Sequence, residues 1–84
     1  MAPIKVLILE DDAFQAESLQ EDLEEHGFTV VGSAKTLQEA VGLFHLQTID
    51  IAIIDIFLGG QPSGIQFAEY IYDQGQGKIP FVFL

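Results

Sequence analysis

The chain has no cysteine and no arginine, and its three lysines (Lys5, Lys35 and Lys78) stand against thirteen acids. Without cysteine, neither a disulfide nor a zinc–cysteine cluster can staple the fold. The formal net charge of −10 excludes a grip on nucleic acid, which needs a basic stripe to displace counterions. An anionic membrane surface repels the chain for the same reason. A long hydrophobic run is missing too. The apolar stretch from Val6 to Leu9 with its neighbours is too short for a signal peptide or a membrane span. A soluble, cytoplasmic chain is expected.

What remains is globular. Of the 84 residues, 49% are hydrophobic and 19% charged, which is not the balance of a disordered segment. The length allows one domain, residues 1–84, able to bury roughly 60% of its unfolded surface. The acids are unevenly placed. Eight of the thirteen fall in residues 10–25: Glu10, Asp11, Asp12, Glu17, Glu21, Asp22, Glu24 and Glu25. Most suit a solvated helix face.

Ile4 to Leu9 (IKVLIL) is a β-branched apolar run that stops at three acids, as a strand buried on both faces would. Asp12 with Gln15 has capping-box spacing, Ala16, Leu19 and Leu23 follow at helical intervals, and Gly27 suits a C′ stop. Phe28 to Gly32 is expected as a second strand. Thr36-Leu37-Gln38-Glu39 predicts a full capping box before a helix with Leu37, Ala40, Val41 and Phe44 on one face. Asp50 to Ile56 (DIAIIDI) is the clearest buried strand. Gly59 to Gly64 is a loop by composition. Ser63 with Gln66 is expected to cap a third helix carrying Ile65, Ala68 and Tyr72, which fades at Gly75 and Gly77. Ile79 to Leu84 is the fourth strand.

The order βαβαβαβ, with short connections and continuous apolar strands, means an α/β doubly wound parallel sheet with helices on both faces. In such sheets ligands collect outside the carboxyl ends of the strands, where strand order reverses. Glu10 and Asp11 end strand 1, and Asp55 ends strand 3. If those strands are neighbours, three carboxylates converge. Two unit charges about 5 Å apart repel by roughly 3 kcal/mol at an effective dielectric near 20, so the cluster is costly unless a cation fills it. Oxygen-only donors favour Mg²⁺ or Mn²⁺ over zinc.

Blander roles compete for each acid. Asp12 fits a helix cap, and Glu10 and Asp11 could be simply solvated. Asp55, inside IAIIDIFL, needs a partner or a purpose. Gly59, Gly60 and Gly64 do not have the spacing of a dinucleotide fingerprint. His26 and His45 are expected on the surface, away from the carboxyl edge. Phe81 and Phe83 serve either packing or recognition.

Leu7-Ile8-Leu9-Glu10-Asp11-Asp12, the Asp50–Asp55 strand, Asp55-Ile56-Phe57-Leu58 and the downstream Ser63-Gly64 together closely resemble the receiver domain of two-component response regulators. The resemblance runs from strand 1 to the last residue. It implies a flavodoxin-like sheet of order 2-1-3-4, ending before the α4-β5-α5 portion. It also implies that Asp55 accepts a phosphoryl group from a sensor histidine kinase or phosphotransfer protein. Asp11 would bind Mg²⁺ directly, Glu10 largely through water, and the Phe57 backbone carbonyl would add a ligand. The chain would then be a phosphoacceptor with at most self-catalysed phosphotransfer and dephosphorylation, not a turnover enzyme.

Departures from the pattern matter. Asp55 to Gly64 is one residue longer than in many receivers. The Ser or Thr that follows strand 4 and the Lys of strand 5 are not within the 84 residues, and Lys78 lies at the wrong end of the sheet to replace that lysine. Pro80-Phe81-Val82-Phe83 resembles a receiver subgroup. Two rival functions remain: a non-phosphorylated binding or dimerisation module that assembles as a homo-oligomer through the strand 4 edge, and a Mg²⁺-dependent phosphohydrolase. The latter usually has a second acid where this chain has Phe57.

Overall fold

The computed structural model describes residues 2–75 and 77–84. Strands β1 (Lys5–Leu9), β2 (Thr29–Ala34), β3 (Ile51–Ile54) and β4 (Phe81–Phe83) alternate with helices α1 (Ala13–Glu25), α2 (Leu37–Leu46) and α3 (Ser63–Gln74). All strand pairs are parallel, in the order β2-β1-β3-β4. This is the doubly wound parallel sheet expected from the strand pattern, in the flavodoxin-like order that the resemblance implies. None of its described helices is long and apolar enough to cross a membrane.

The central strand explains why the apolar run of β1 has no polar alternation. Leu7 and Leu9 join Ala34, Ala52, Ile54, Phe67, Ala68 and Ile71 in the core under α2 and α3. Val6 and Ile8, pointing to the opposite face by the period-2 rule, are fully buried as well. Both faces of β1 are therefore covered, with α1 packed on β1 and β2.

Local signals mostly perform as expected, with three corrections. Asp12 caps α1, its carboxylate accepting from the Phe14 and Gln15 N–H groups. Gly27 follows the helix at φ 89°, a left-handed position that costs other residues strain. At α2 the Thr36 hydroxyl accepts from the Glu39 N–H, but the Glu39 carboxylate reaches back to the Lys35 N–H. The expected reciprocal bond is thus displaced by one residue, onto the turn leaving β2. Ser63 does not cap α3. It is the first helical residue, Pro62 occupies the cap position, and no side chain caps the helix.

The buried face of α3 is also rotated from the expected one. Gly64, Phe67, Ala68 and Ile71 are buried, whereas Ile65 and Tyr72 are exposed and line a shallow groove with Phe81 and Phe83. The i, i+3, i+4, i+7 set starting at Gly64 wins because only glycine lets the helix start lie against the Asp55–Ile56 backbone just after β3. β2, β3 and β4 end within one or two residues of the expected bounds, and β4 forms an edge with Val82, Phe83 and Leu84 exposed.

Phe67 is the largest fully buried side chain. Phe67→Ala is expected to cost about 3–5 kcal/mol, the usual effect of emptying an aromatic core position. Urea denaturation of the two chains checks this.

Candidate phosphoacceptor site

The site follows from strand register. β1 and β3 pair with Leu9 opposite Ile54, so the next residues, Glu10 and Asp55, leave the sheet side by side. Backbone bonds hold each in place. The Glu10 N–H donates to the Ala34 carbonyl at 2.9 Å, and the Asp55 N–H donates to the Leu9 carbonyl at 2.8 Å. Carboxylate oxygens of Glu10, Asp11 and Asp55 all lie within 4.8 Å of one another. The three candidate side chains are thus brought together as the sequence implied. Phe57, whose backbone carbonyl the resemblance places in the ligand set, lies two residues beyond Asp55 in the β3–α3 loop, its side chain exposed.

The three acids differ in environment. Glu10 is the one buried polar residue among those described, Asp55 is half-buried and Asp11 is exposed. Asp11 is tethered to the opposite loop, since the Gly59 N–H donates to its carboxylate at 3.0 Å. That loop is itself closed by the Leu58 and Gln61 backbones, which exchange two hydrogen bonds. Asp12, as its spacing suggested, is occupied in capping.

Burial pushes the Glu10 carboxyl up to about 7. A hydrogen bond to Asp55, the charge of Asp55 and a smaller push from Asp11 contribute to that rise, while the Asp12 backbone N–H pulls the other way. A protonated Glu10 can donate to Asp55 and so relieve the repulsion between two adjacent carboxylates. All donors are hard oxygens, and the cluster is short of positive charge. That is the donor chemistry of a Mg²⁺ or Mn²⁺ cradle.

Two residues of the site were not singled out as its parts from sequence. One is Gly59, whose amide holds Asp11; only the closed loop reveals that. The other is Gly64. A Cβ there would sit 2.0 Å from the Asp55 carbonyl oxygen and 2.8 Å from the Ile56 Cα, and its N–H donates to the Ile56 carbonyl. The start of α3 is thus pressed against the backbone of the candidate nucleophile.

Comparison with known proteins agrees with this geometry. The sequence model of the response regulator receiver domain matches residues 6–84. The chain is 44% identical over 54 residues to the transcriptional regulatory protein PdtaR of Mycobacterium tuberculosis, covering 64% of the chain and 26% of PdtaR. It is 33% identical over 84 residues to the uncharacterized transcriptional regulatory protein YbdJ of Bacillus subtilis, covering all of the chain and 35% of YbdJ. Among solved structures, the anti-anti-sigma factor PhyR of Bartonella quintana superposes with a TM-score of 0.88 at 31% identity, over 99% of this chain and 33% of that one. The signal receiver domain of a modulated diguanylate cyclase from Desulfovibrio desulfuricans G20 gives 0.84 at 32% identity, over 96% and 63%. The chain spans about a quarter to a third of the length of the curated relatives it matches.

Two outcomes follow for the site. Glu10 in the folded chain holds its proton to about pH 7, whereas in the unfolded chain it loses it near 4.5. Folding is therefore unpenalised by Glu10 below pH 4.5, and stability falls as pH rises through that window. The loss reaches about 3 kcal/mol above pH 7. In chelator, Glu10→Gln is expected to remove this slope and to be the more stable chain at pH 8, as thermal melts across pH would show. Gly64→Ala should destabilise by about 2–3 kcal/mol through overpacking against backbone, measured in the same melts.

Proposed function

Because the chain belongs to the response regulator receiver domain family, we propose that it is the phosphoacceptor element of a cytoplasmic two-component phosphorelay. Asp55 takes the phosphoryl group, and the donor is a phosphohistidine on a sensor histidine kinase or phosphotransfer protein. The observation that carries this is the meeting of Asp55 with Glu10 and Asp11 at the carboxyl ends of β3 and β1.

An Asp55 carboxylate oxygen attacks phosphorus as the bond from phosphorus to the donor's imidazole nitrogen breaks, and the imidazole leaves with the electron pair. Two anions must approach each other, so the transfer depends on positioning and on neutralising charge. Glu10, Asp11, Asp55 and the Phe57 carbonyl are the residues that would hold Mg²⁺, or Mn²⁺ in its place. When bound, the ion supplies the positive charge that lets a carboxylate meet a phosphoryl group. The chain's own part is rigidity. Backbone bonds clamp Glu10 and Asp55, and the Gly59 N–H holds Asp11 across the cleft. Roughly two further negative charges on Asp55 then form the output signal. As two relatives bear the name transcriptional regulatory protein and another solved structure is PhyR in complex with the anti-sigma factor NepR, the output belongs with a further domain or a protein partner.

A second reading has one observation in its favour. Among the described residues β4 is the last strand of the sheet and Val82, Phe83 and the following Leu84 are exposed, apolar surface that a non-phosphorylated module would use for edge pairing.

Incubation with a small acyl phosphate and Mg²⁺ separates the two. One acid-stable, base-labile phosphoryl group per chain is expected, absent from Asp55→Ala. Chelator should slow its appearance roughly 100-fold or more, as the loss of several kcal/mol of charge stabilisation implies. Equal labelling of Asp55→Ala would refute the assignment, and no labelling of the wild type would favour the assembly module.

A further inference from the structure

Beside the acidic cluster lies a cavity of about 290 Å³. Its lining includes Asp11, Lys35, Thr36, Gly59 and Ser63. Lys35 is the first residue after β2, so it stands on the same carboxyl edge as Glu10 and Asp55. The other two lysines do not. Lys5 begins β1 and Lys78 precedes β4, both on the amino edge. Lys35 is therefore the one lysine on an edge otherwise dominated by Glu10, Asp11, Asp12 and Asp55. Its backbone is fixed, because the Lys35 N–H donates to the Glu39 carboxylate at 2.9 Å. Thr36 accepts from the Glu39 N–H through its hydroxyl oxygen, which leaves its O–H proton free to donate. Ser63 is half-buried on the cavity wall and presents a second hydroxyl.

A dianionic phosphodonor approaching this edge meets three or four carboxylates, and repulsion at that range opposes it. We propose that Lys35, with the hydroxyls of Thr36 and Ser63, forms a binding subsite for the phosphoryl oxygens of the incoming donor, reached through this cavity from the β2–α2 side. It rests on the reading of Asp55 as phosphoacceptor. Lys35 supplies a point charge and the hydroxyls supply direction. The subsite holds the donor before transfer. The transfer itself breaks the bond from phosphorus to the leaving group and forms the bond from phosphorus to the Asp55 oxygen, as above. Its effect therefore falls on donor affinity more than on the maximal rate.

The test uses acetyl phosphate as donor, Mg²⁺ at saturation, and the variants Lys35→Met, Lys35→Arg and Ser63→Ala, with melts to confirm folding. Lys35→Met is expected to raise the half-saturating acetyl phosphate concentration about fivefold, the scale of one exposed charge contact, with a maximal rate within about twofold. Lys35→Arg should restore affinity, and Ser63→Ala should weaken it less. Unchanged half-saturation in Lys35→Met, or an Arg variant as poor as the Met variant, would overturn the subsite. A second arm is independent of transfer. In Asp55→Asn, amide resonances of residues 35–37, 59–61 and 63 should shift on titration with acetyl phosphate, and in the Lys35→Met background the same shifts should need about fivefold more acetyl phosphate. Shifts without any labelling of the wild type would refute the phosphoacceptor and keep the subsite. Labelling without shifts would do the reverse.

Discussion

Everything at the carboxyl edge depends on one pairing, β1 against β3 in parallel, with Leu9 opposite Ile54. A parallel pair brings two strand ends to the same edge, so the residues that follow them must be neighbours. Here those residues are Glu10 and Asp55. The hydrophobic effect that buries Val6 to Leu9 on both faces thus also forces two carboxylates together. Slipping the register by one residue to separate them would turn the core side chains of a strand outward. The repulsion is accepted because the core that imposes it is worth more.

That conflict accounts for the unequal treatment of the three acids. Glu10 is buried and keeps its proton to about pH 7. Asp55 is half-buried, and Asp11 faces solvent while held by the Gly59 N–H. A cation or a proton can each settle the cluster, which makes it sensitive to both. The glycine at position 64 is part of the same economy. By letting α3 lie against the Asp55 carbonyl, it fixes the backbone of the acceptor without using a side chain.

The elements whose signals are local were legible in the sequence. Asp12 caps α1 and Gly27 ends it because cap and C′ chemistry act within four residues. The apolar strands followed from the continuous runs of β1 and β3, and their order in the sheet from the resemblance to receiver domains. Signals failed where tertiary contact competes with local preference. Ser63 has the spacing of a cap, yet Pro62 takes that place, because the helix must begin where Gly64 meets the Asp55–Ile56 backbone. For the same reason Phe67 and Ile71, not Ile65 and Tyr72, face the core. Glu39 was placed correctly, but its carboxylate found the Lys35 N–H instead of the Thr36 one, as the turn leaving β2 presented it first.

By itself, then, the sequence determined the doubly wound parallel sheet, the helix starts at Asp12 and Thr36, and the three acids Glu10, Asp11 and Asp55 as a converging set. The sheet and the helix starts follow from periodicity and cap chemistry; the convergence of the acids follows from the rule that parallel strands end together once the resemblance makes β1 and β3 neighbours. The tertiary structure alone decided which acid is buried, which loop holds Asp11, how α3 is rotated, and that Lys35 and Ser63 share a cavity with Asp11. The reason is physical. Burial and proximity between residues far apart in the chain are set by how whole elements pack, and no short-range pattern carries that information.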